Sequence, residues 1–154
     1  MKNERIRIVR VRPDLPPILD EIEISDNNVY QLKTKQEGQL CTYSIELSRS
    51  NPELKIVDLE NNVIAIFFNI NTLTNINNRY YRDIDDYYSV DEEVYRNKDI
   101  QEHKIYGDIL ILGTYTKVED NKEVEKYKSL TLEQIDQYME MFKLENKLHI
   151  RFNN

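Results

Sequence analysis

Only two histidines, His103 and His149, are present to take up or release a proton near neutrality. A Ser-His-Asp or Cys-His arrangement would need one of them, yet neither lies near a Gly-x-Ser-x-Gly elbow or a similarly exposed nucleophile. Nor does their spacing suggest a shared metal. Cys41 is the sole cysteine, which excludes an internal disulfide and a cysteine-built metal knuckle. It falls on the apolar side of an alternating stretch and reads as core. Gly107 and Gly113 fit neither Gly-x-x-x-x-Gly-Lys-Ser/Thr nor Gly-x-Gly-x-x-Gly, so they make no phosphate loop. They bound the apolar run Ile109-Leu110-Ile111-Leu112 and read as points of backbone freedom at its ends. Among 28 acidic side chains, no pair is singled out for acid–base work. The expectation is a protein with no catalytic residue, metal or cofactor, more an interaction protein than an enzyme.

Two clusters could still recognise something. Arg5, Arg7, Arg10 and Arg12 crowd one end of the chain beside Lys2 and a single acid, Glu4. Guanidinium forks suit phosphates, so convergence of these four in a concave site would make an anion pocket for a nucleotide. Otherwise they pair with the acidic remainder of the chain. The second cluster is the stretch Asn78-Arg-Tyr-Tyr-Arg-Asp-Ile-Asp-Asp-Tyr-Tyr-Ser-Val-Asp-Glu-Glu-Val-Tyr95. Between Arg79 and Glu102 there are eight acids, four bases and five of the eleven tyrosines. Tyrosine supplies rigid contact area with a polar tip, as interfaces use it. Arg79, Tyr80, Tyr81, Asp83, Asp85, Asp86, Tyr87, Tyr88, Asp91, Glu92 and Glu93 are therefore the candidate partner-binding residues. Their acids would meet a basic protein surface or imitate the charge of a nucleic acid. The competing reading is a solvated excursion whose tyrosines cover a sheet.

Composition bounds the rest. A chain of 154 residues, 40% hydrophobic and 32% charged, has the content of one soluble globular domain. Its formal charge of −7 argues against unspecific binding to nucleic acid. No window approaches the roughly 18 apolar residues of a membrane span, and no apolar leader follows the first residues. A cytoplasmic setting, a protein partner and no membrane are expected, with a homo-oligomer left open.

The elements follow from periodicity. Residues 5–12 read as a strand with Ile6 and Ile8 on one face and Val9 and Val11 on the other, implying a bulge or cover on both sides. Residues 18–24 make a second strand. Ser25-Asp26 offers cap chemistry, and Val29 and Leu32 have helical spacing up to Gly38, which predicts a short helix. From Leu40 the period is two, hence a strand to Leu47. Residues 54–59 and 63–69 flank Glu60-Asn61-Asn62 as a hairpin. Residues 69–78 read as a loop with room for one helical turn. The run 105–116 is the buried central strand, and 117–128, densely charged, reads as a mobile connection. Thr131 and Gln134 form a capping box with Leu130 and Ile135 as its staple, opening a helix with the stripe Leu132, Ile135, Tyr138, Met139 and Phe142. Leu148, Ile150 and Phe152 alternate with basic residues as a final edge strand.

The N-terminal strand running into a proline loop, Asn78-Arg79, Gly107-Asp-Ile-Leu-Ile-Leu-Gly113 and Ser129-Leu-Thr-Leu-Glu-Gln-Ile-Asp-Gln-Tyr138 together resemble a small uncharacterised family, domain of unknown function 3846, found in plasmids, phages and accessory regions of Gram-positive genomes. The likeness covers roughly residues 5–142. It implies an α+β fold and a mobile-element setting, and no activity, since that family has no agreed function or catalytic residues. This chain departs from the pattern in its long 80–104 excursion and in its tail after Phe142.

The combined reading is a single α+β domain over residues 1–154. Its mixed or antiparallel sheet has five to seven strands with one or two helices packed on one face, and an exposed excursion lies at about 79–104. The function read from this is a non-enzymatic interaction protein of a mobile genetic element or phage, inhibiting a host defence system by occupying a partner protein. The alternative is a small nucleotide-binding module that sequesters or cleaves a nucleotide signal.

Overall fold

In the computed structural model, residues 3–36, 39–69, 71–73 and 96–143 are described, with the backbone alone at 33–36 and 39–41. The expectation of an α+β domain is overturned. Eight strands form one antiparallel sheet, and the described residues contain a single helix beyond a helical turn at 71–73.

The strands are β1 (Asn3–Val11), β2 (Ile18–Ser25), β3 (Val29–Gln36), β4 (Gln39–Glu46), β5 (Leu54–Asp58), β6 (Val63–Phe68), β7 (Ile109–Glu119) and β8 (Lys122–Lys128). Their spatial order is β4-β3-β2-β1-β7-β6-β5, with β8 added on β7. The helix α1 spans Leu132–Met141.

Two of the strands replace expected non-strand segments. Residues 29–36 are β3, not a helix, paired with β4 from Val29↔Glu46 to Gln36↔Gln39. The helical spacing of Val29 and Leu32 competed with a strand-favouring Val-Tyr…Thr composition, and the neighbouring strand decided it. Residues 122–128 are β8, not a connection. Glu119↔Lys122 closes a hairpin over Asp120-Asn121, whose φ values of 51° and 64° suit a two-residue turn of left-handed residues. The hairpin β5–β6 forms as expected, with Asn61 and Asn62 at φ 57° and 59°.

Both faces of the sheet are covered, which explains the phase change in β1. Its register with β2 runs without a bulge from Asn3↔Ser25 to Arg10↔Ile18. Ile6 and Ile8 enter one apolar cluster, whereas Val9 and Val11 enter the other. The central run of β7 divides likewise, Leu110 and Leu112 against Ile109 and Ile111. On the inner face, Ile45 of β4 and Ile56 of β5, from opposite ends of the strand order, share one cluster, so the sheet is curled. Tyr43 donates to Glu53 Oε2 at 3.0 Å across the same approach.

The outer face is covered by α1. Thr131 Oγ1 accepts from Gln134 N at 3.1 Å and Gln134 Oε1 accepts from Thr131 N at 2.9 Å, completing the capping box. Leu130 and Ile135 are both buried, as the staple requires. Tyr138 and Phe142 are fully buried beneath the helix; each large side chain so placed contributes about 1.5–3 kcal/mol before entropy is subtracted. Leu132, expected in the stripe, is 71% exposed, because the helix enters the core one turn later.

Gly113 lies inside β7 rather than at its end, where the strand passes from β6 to β8. A Cβ there would lie 3.1 Å from the Lys128 carbonyl oxygen, so close strand approach explains this glycine. The expected edge strand at 148–152 and His149 lie outside the described residues.

Candidate functional site

The site is built around Gly107, which sits just before β7 at φ +76° and is buried. Two segments meet on it. From one side comes Leu73, whose Cδ1 would stand 2.9 Å from any Cβ placed on Gly107. From the other comes Asn97, 8% exposed, which donates from Nδ2 to Gly107 O at 2.7 Å and to Val11 O at 2.9 Å. Its Oδ1 accepts from Lys98 N at 2.8 Å, so the buried amide is bonded at both ends.

Each flank is fixed in turn. Upstream, Asn69 Oδ1 accepts from Thr72 N at 2.8 Å, and Thr72 Oγ1 donates to Glu53 O at 2.9 Å. Downstream, Asn97 N donates to Ile105 O at 2.8 Å, and Ile100 and Ile105 are fully buried. The Arg96 guanidinium pairs with Asp99 and lies 5.5 Å over the Tyr106 ring. The excursion expected at 79–104 therefore returns to the core by residue 97. The candidate partner-binding residues Arg79, Tyr80, Tyr81, Asp83, Asp85, Asp86, Tyr87, Tyr88, Asp91, Glu92 and Glu93 lie outside the described residues. Both described flanks of their segment nevertheless meet at one glycine.

Next to Gly107, Asp108 belongs to a second feature. Arg10 reaches from β1 to three groups: Nε donates to Asp20 Oδ2 at 2.7 Å, Nη1 to Asp108 Oδ2 at 3.0 Å, and Nη2 to the Tyr30 hydroxyl at 3.4 Å. Burial pulls against its charge, but Tyr30, Asp20 and Asp108 outweigh that and hold the guanidinium above its ordinary pKa. This cluster floors a cleft of about 500 Å³ between β2 and β3, lined also by Arg5, Glu21, Glu23, Ile22 and Leu32. The two strands pair at Ile24↔Tyr30 alone and then diverge.

The four arginines are not brought together. Arg5 and Arg10 touch the same cleft, but Arg5 pairs with Glu21 and Glu23 at 3.9 and 3.4 Å. Arg7 is exposed, its backbone donating to Ser129 Oγ at 2.9 Å. Arg12 turns to Pro16 O at 3.0 Å. His103 packs its ring 6.0 Å from that of Phe67. Among the described residues, no three His, Cys, Asp or Glu side chains gather as metal ligands, and no helix is long and apolar enough to cross a membrane.

Asn97, Leu73, Tyr30, Asp20 and Asp108 were not singled out by sequence reasoning. The Gly107-Asp108 pair was its one available signal, read only as a strand boundary. In comparison with known proteins, no family model, no curated protein and no solved structure matches this chain.

Proposed function

We propose that this chain is a non-enzymatic interaction protein that grips a partner protein through its tyrosine-and-acid segment at 79–95. The observation that carries the reading is the Gly107 junction, where Leu73 and Asn97 hold the two flanks of that segment against one buried glycine. Fixing both flanks lowers the ordering cost of binding, which is how pre-organised surfaces gain affinity. The acids call for a partner with a basic surface, and the tyrosines for apolar pockets within it. No match supports a mobile-element setting or a defence-system target, so the partner is given by its chemistry alone. The nucleotide-module alternative drew on Arg5, Arg7, Arg10 and Arg12, and no observation favours it, since Arg10 already meets two carboxylates.

The test is affinity capture from a cell lysate. Wild-type protein is compared with a variant in which Asp83, Asp85, Asp86, Asp91, Glu92 and Glu93 are changed to Lys. A control variant reverses the exposed Asp120, Glu123, Glu133 and Asp136 instead. The expected result is a partner held by wild type and control and lost by the first variant. An identical captured set for all three proteins overturns the reading.

A further inference from the structure

The geometry points to the free edge of β7, at residues 115–119, as the place where a second copy of this chain adds its own β7, antiparallel about a two-fold axis at Val118. The inference goes beyond the partner-binding reading and does not rest on it. Backbone accounting comes first. Thr114 N donates to Asn62 O at 2.9 Å and the ladder with β6 ends at Val63↔Gly113, so β6 extends no further along β7. On the other side of β7, the register with β8 continues to Glu119↔Lys122. Glu125 O accepts from Asn28 Nδ2 at 2.9 Å and so points away from β7, which fixes the alternation of this hairpin. Lys122, Val124 and Lys126 turn their backbone groups to β7, and Glu119, Lys117 and Tyr115 turn theirs to β8. Thr116 and Val118 consequently aim N–H and C=O outward, where no strand among the described residues pairs with them.

This edge lies open. Thr116, Lys117 and Val118 are all exposed, Val118 to 67%. Sheet edges are commonly blunted by proline, a bulge or a covering element, yet residues 115–119 contain no proline or glycine and keep an unbroken register with β8. The edge of β5 is treated otherwise: Asp58 O accepts from Gln101 Nε2 at 3.4 Å and Leu54 N donates to Asn51 O at 3.4 Å. Beyond Gly113, β7 and β8 form a two-stranded ribbon, steadied on the β8 side by Asn28 and by Lys126 Nζ on Asp26 O at 2.7 Å. A two-stranded ribbon gains stability from a third strand, and only the β7 side has room for one.

The side chains identify the added strand as a second β7. A lone lysine on an edge keeps like edges apart. Here Glu119 stands two residues from Lys117 on the same face of the strand. Antiparallel pairing centred on Val118 sets Lys117 opposite Glu119 of the second copy, and Glu119 opposite its Lys117, so both pairs are opposite in sign. Centring on Lys117 instead would set lysine against lysine. At the axis Val118 meets Val118, which covers the most exposed large apolar side chain of the sheet. The length fits as well. A two-fold axis at Val118 lays the second copy's Asp120-Asn121 turn beside residues 115–116, just short of the Asn62 carbonyl that closes the edge at Thr114.

The experiment measures sedimentation velocity and residue-resolved amide exchange on the full chain over a range of protein concentrations. The contact is small, so a transient dimer is expected, its mass rising from one chain toward two with concentration. The Val118 amide is expected to exchange about tenfold or more slowly at the highest concentration than at the lowest. Lys117→Glu and Glu119→Lys each set like charges opposite one another and are expected to weaken the dimer about tenfold or more. The variant carrying both changes restores the opposite-sign pairs and must restore the dimer, which a merely structural role for either residue would not do. Val118→Pro removes the outward N–H while leaving the β7–β8 ladder intact, and is expected to abolish the dimer in a chain that thermal unfolding shows to be folded. The proposal is overturned by a single chain's mass at every concentration, by a dimer in which the Val118 amide exchanges as in the monomer, or by a double variant as weak as the single ones. It is also overturned if Val118 gains protection only when cell lysate is added, since the edge then belongs to another protein. A monomer that still captures its partner through residues 83–93 removes the dimer and leaves the interaction reading standing.

Discussion

Gly107 holds more of the account than any other residue. Its φ of +76° is left-handed, a region that costs a side chain about 1–2 kcal/mol, and a Cβ would also press on Leu73. Gly107→Ala is expected to lower stability by about that amount, read from the denaturant midpoint at unchanged slope. A shift below a few tenths of a kcal/mol would show that Leu73 and the backbone relax freely. Arg10 is the second such residue. Arg10→Met removes the partner of both Asp20 and Asp108, and since those carboxylates are about a third exposed the expected loss is about 1–3 kcal/mol rather than a buried pair's full cost. Restoring stability by adding Asp20→Asn and Asp108→Asn would identify the lost pairing, not lost packing, as the cause.

Tyr138 gives a pH dependence. Burial first, then the negative charge of Glu60, pushes its hydroxyl from 10.0 up to about 12. A raised folded-state pKa contributes stability that is fully present below pH 10 and is lost as pH rises through about 12. Stability is therefore expected to fall across that window, and Tyr138→Phe to flatten the fall when denaturant midpoints are measured at each pH. An unchanged alkaline slope in the variant would assign the loss elsewhere, Tyr127 being the next group raised by burial.

At the scale of elements, α1 is the clearest case of local sequence setting structure. Thr131→Ala removes the acceptor for Gln134 N and is expected to cost about 1 kcal/mol in thermal or denaturant unfolding. The capping box, the β5–β6 hairpin and the two-faced β1 were all legible, because each depends on residues close in the chain. Asn61 and Asn62 announced their turn, and Ile6/Ile8 against Val9/Val11 announced a bulge or cover on both sides, of which the unbroken β1–β2 register leaves the cover. What misled was segments with two compatible periods or with no dry face. Residues 29–36 satisfied a helical spacing until β4 lay alongside them. Residues 117–128 have mostly solvent on both sides, as the 67% exposure of Val118 illustrates, so hydrophobic alternation was absent and Asp120-Asn121 was the only cue. The site was least legible for a related reason. Asn97 and Leu73 reach Gly107 from 10 and 34 positions away in the chain, and nothing in the sequence marks such a meeting.

At the scale of the whole molecule, a curled sheet with both faces covered forms the base on which the described flanks of residues 74–95 are fixed. Arg49 bonds Asp58 at 2.7 Å and Glu125 at 2.9 Å, tying the segment after β4 to β5 and β8. From this base the Gly107 junction holds both flanks of residues 74–95, and the β2–β3 cleft lies beside it through Asp108. The most direct measurement is the affinity of the captured partner for wild-type protein and for Gly107→Ala, both at a temperature where each is folded. The account predicts binding about tenfold weaker or more in the variant, reflecting lost pre-organisation. Equal affinities would contradict it, because the junction would then have no part in presenting the segment.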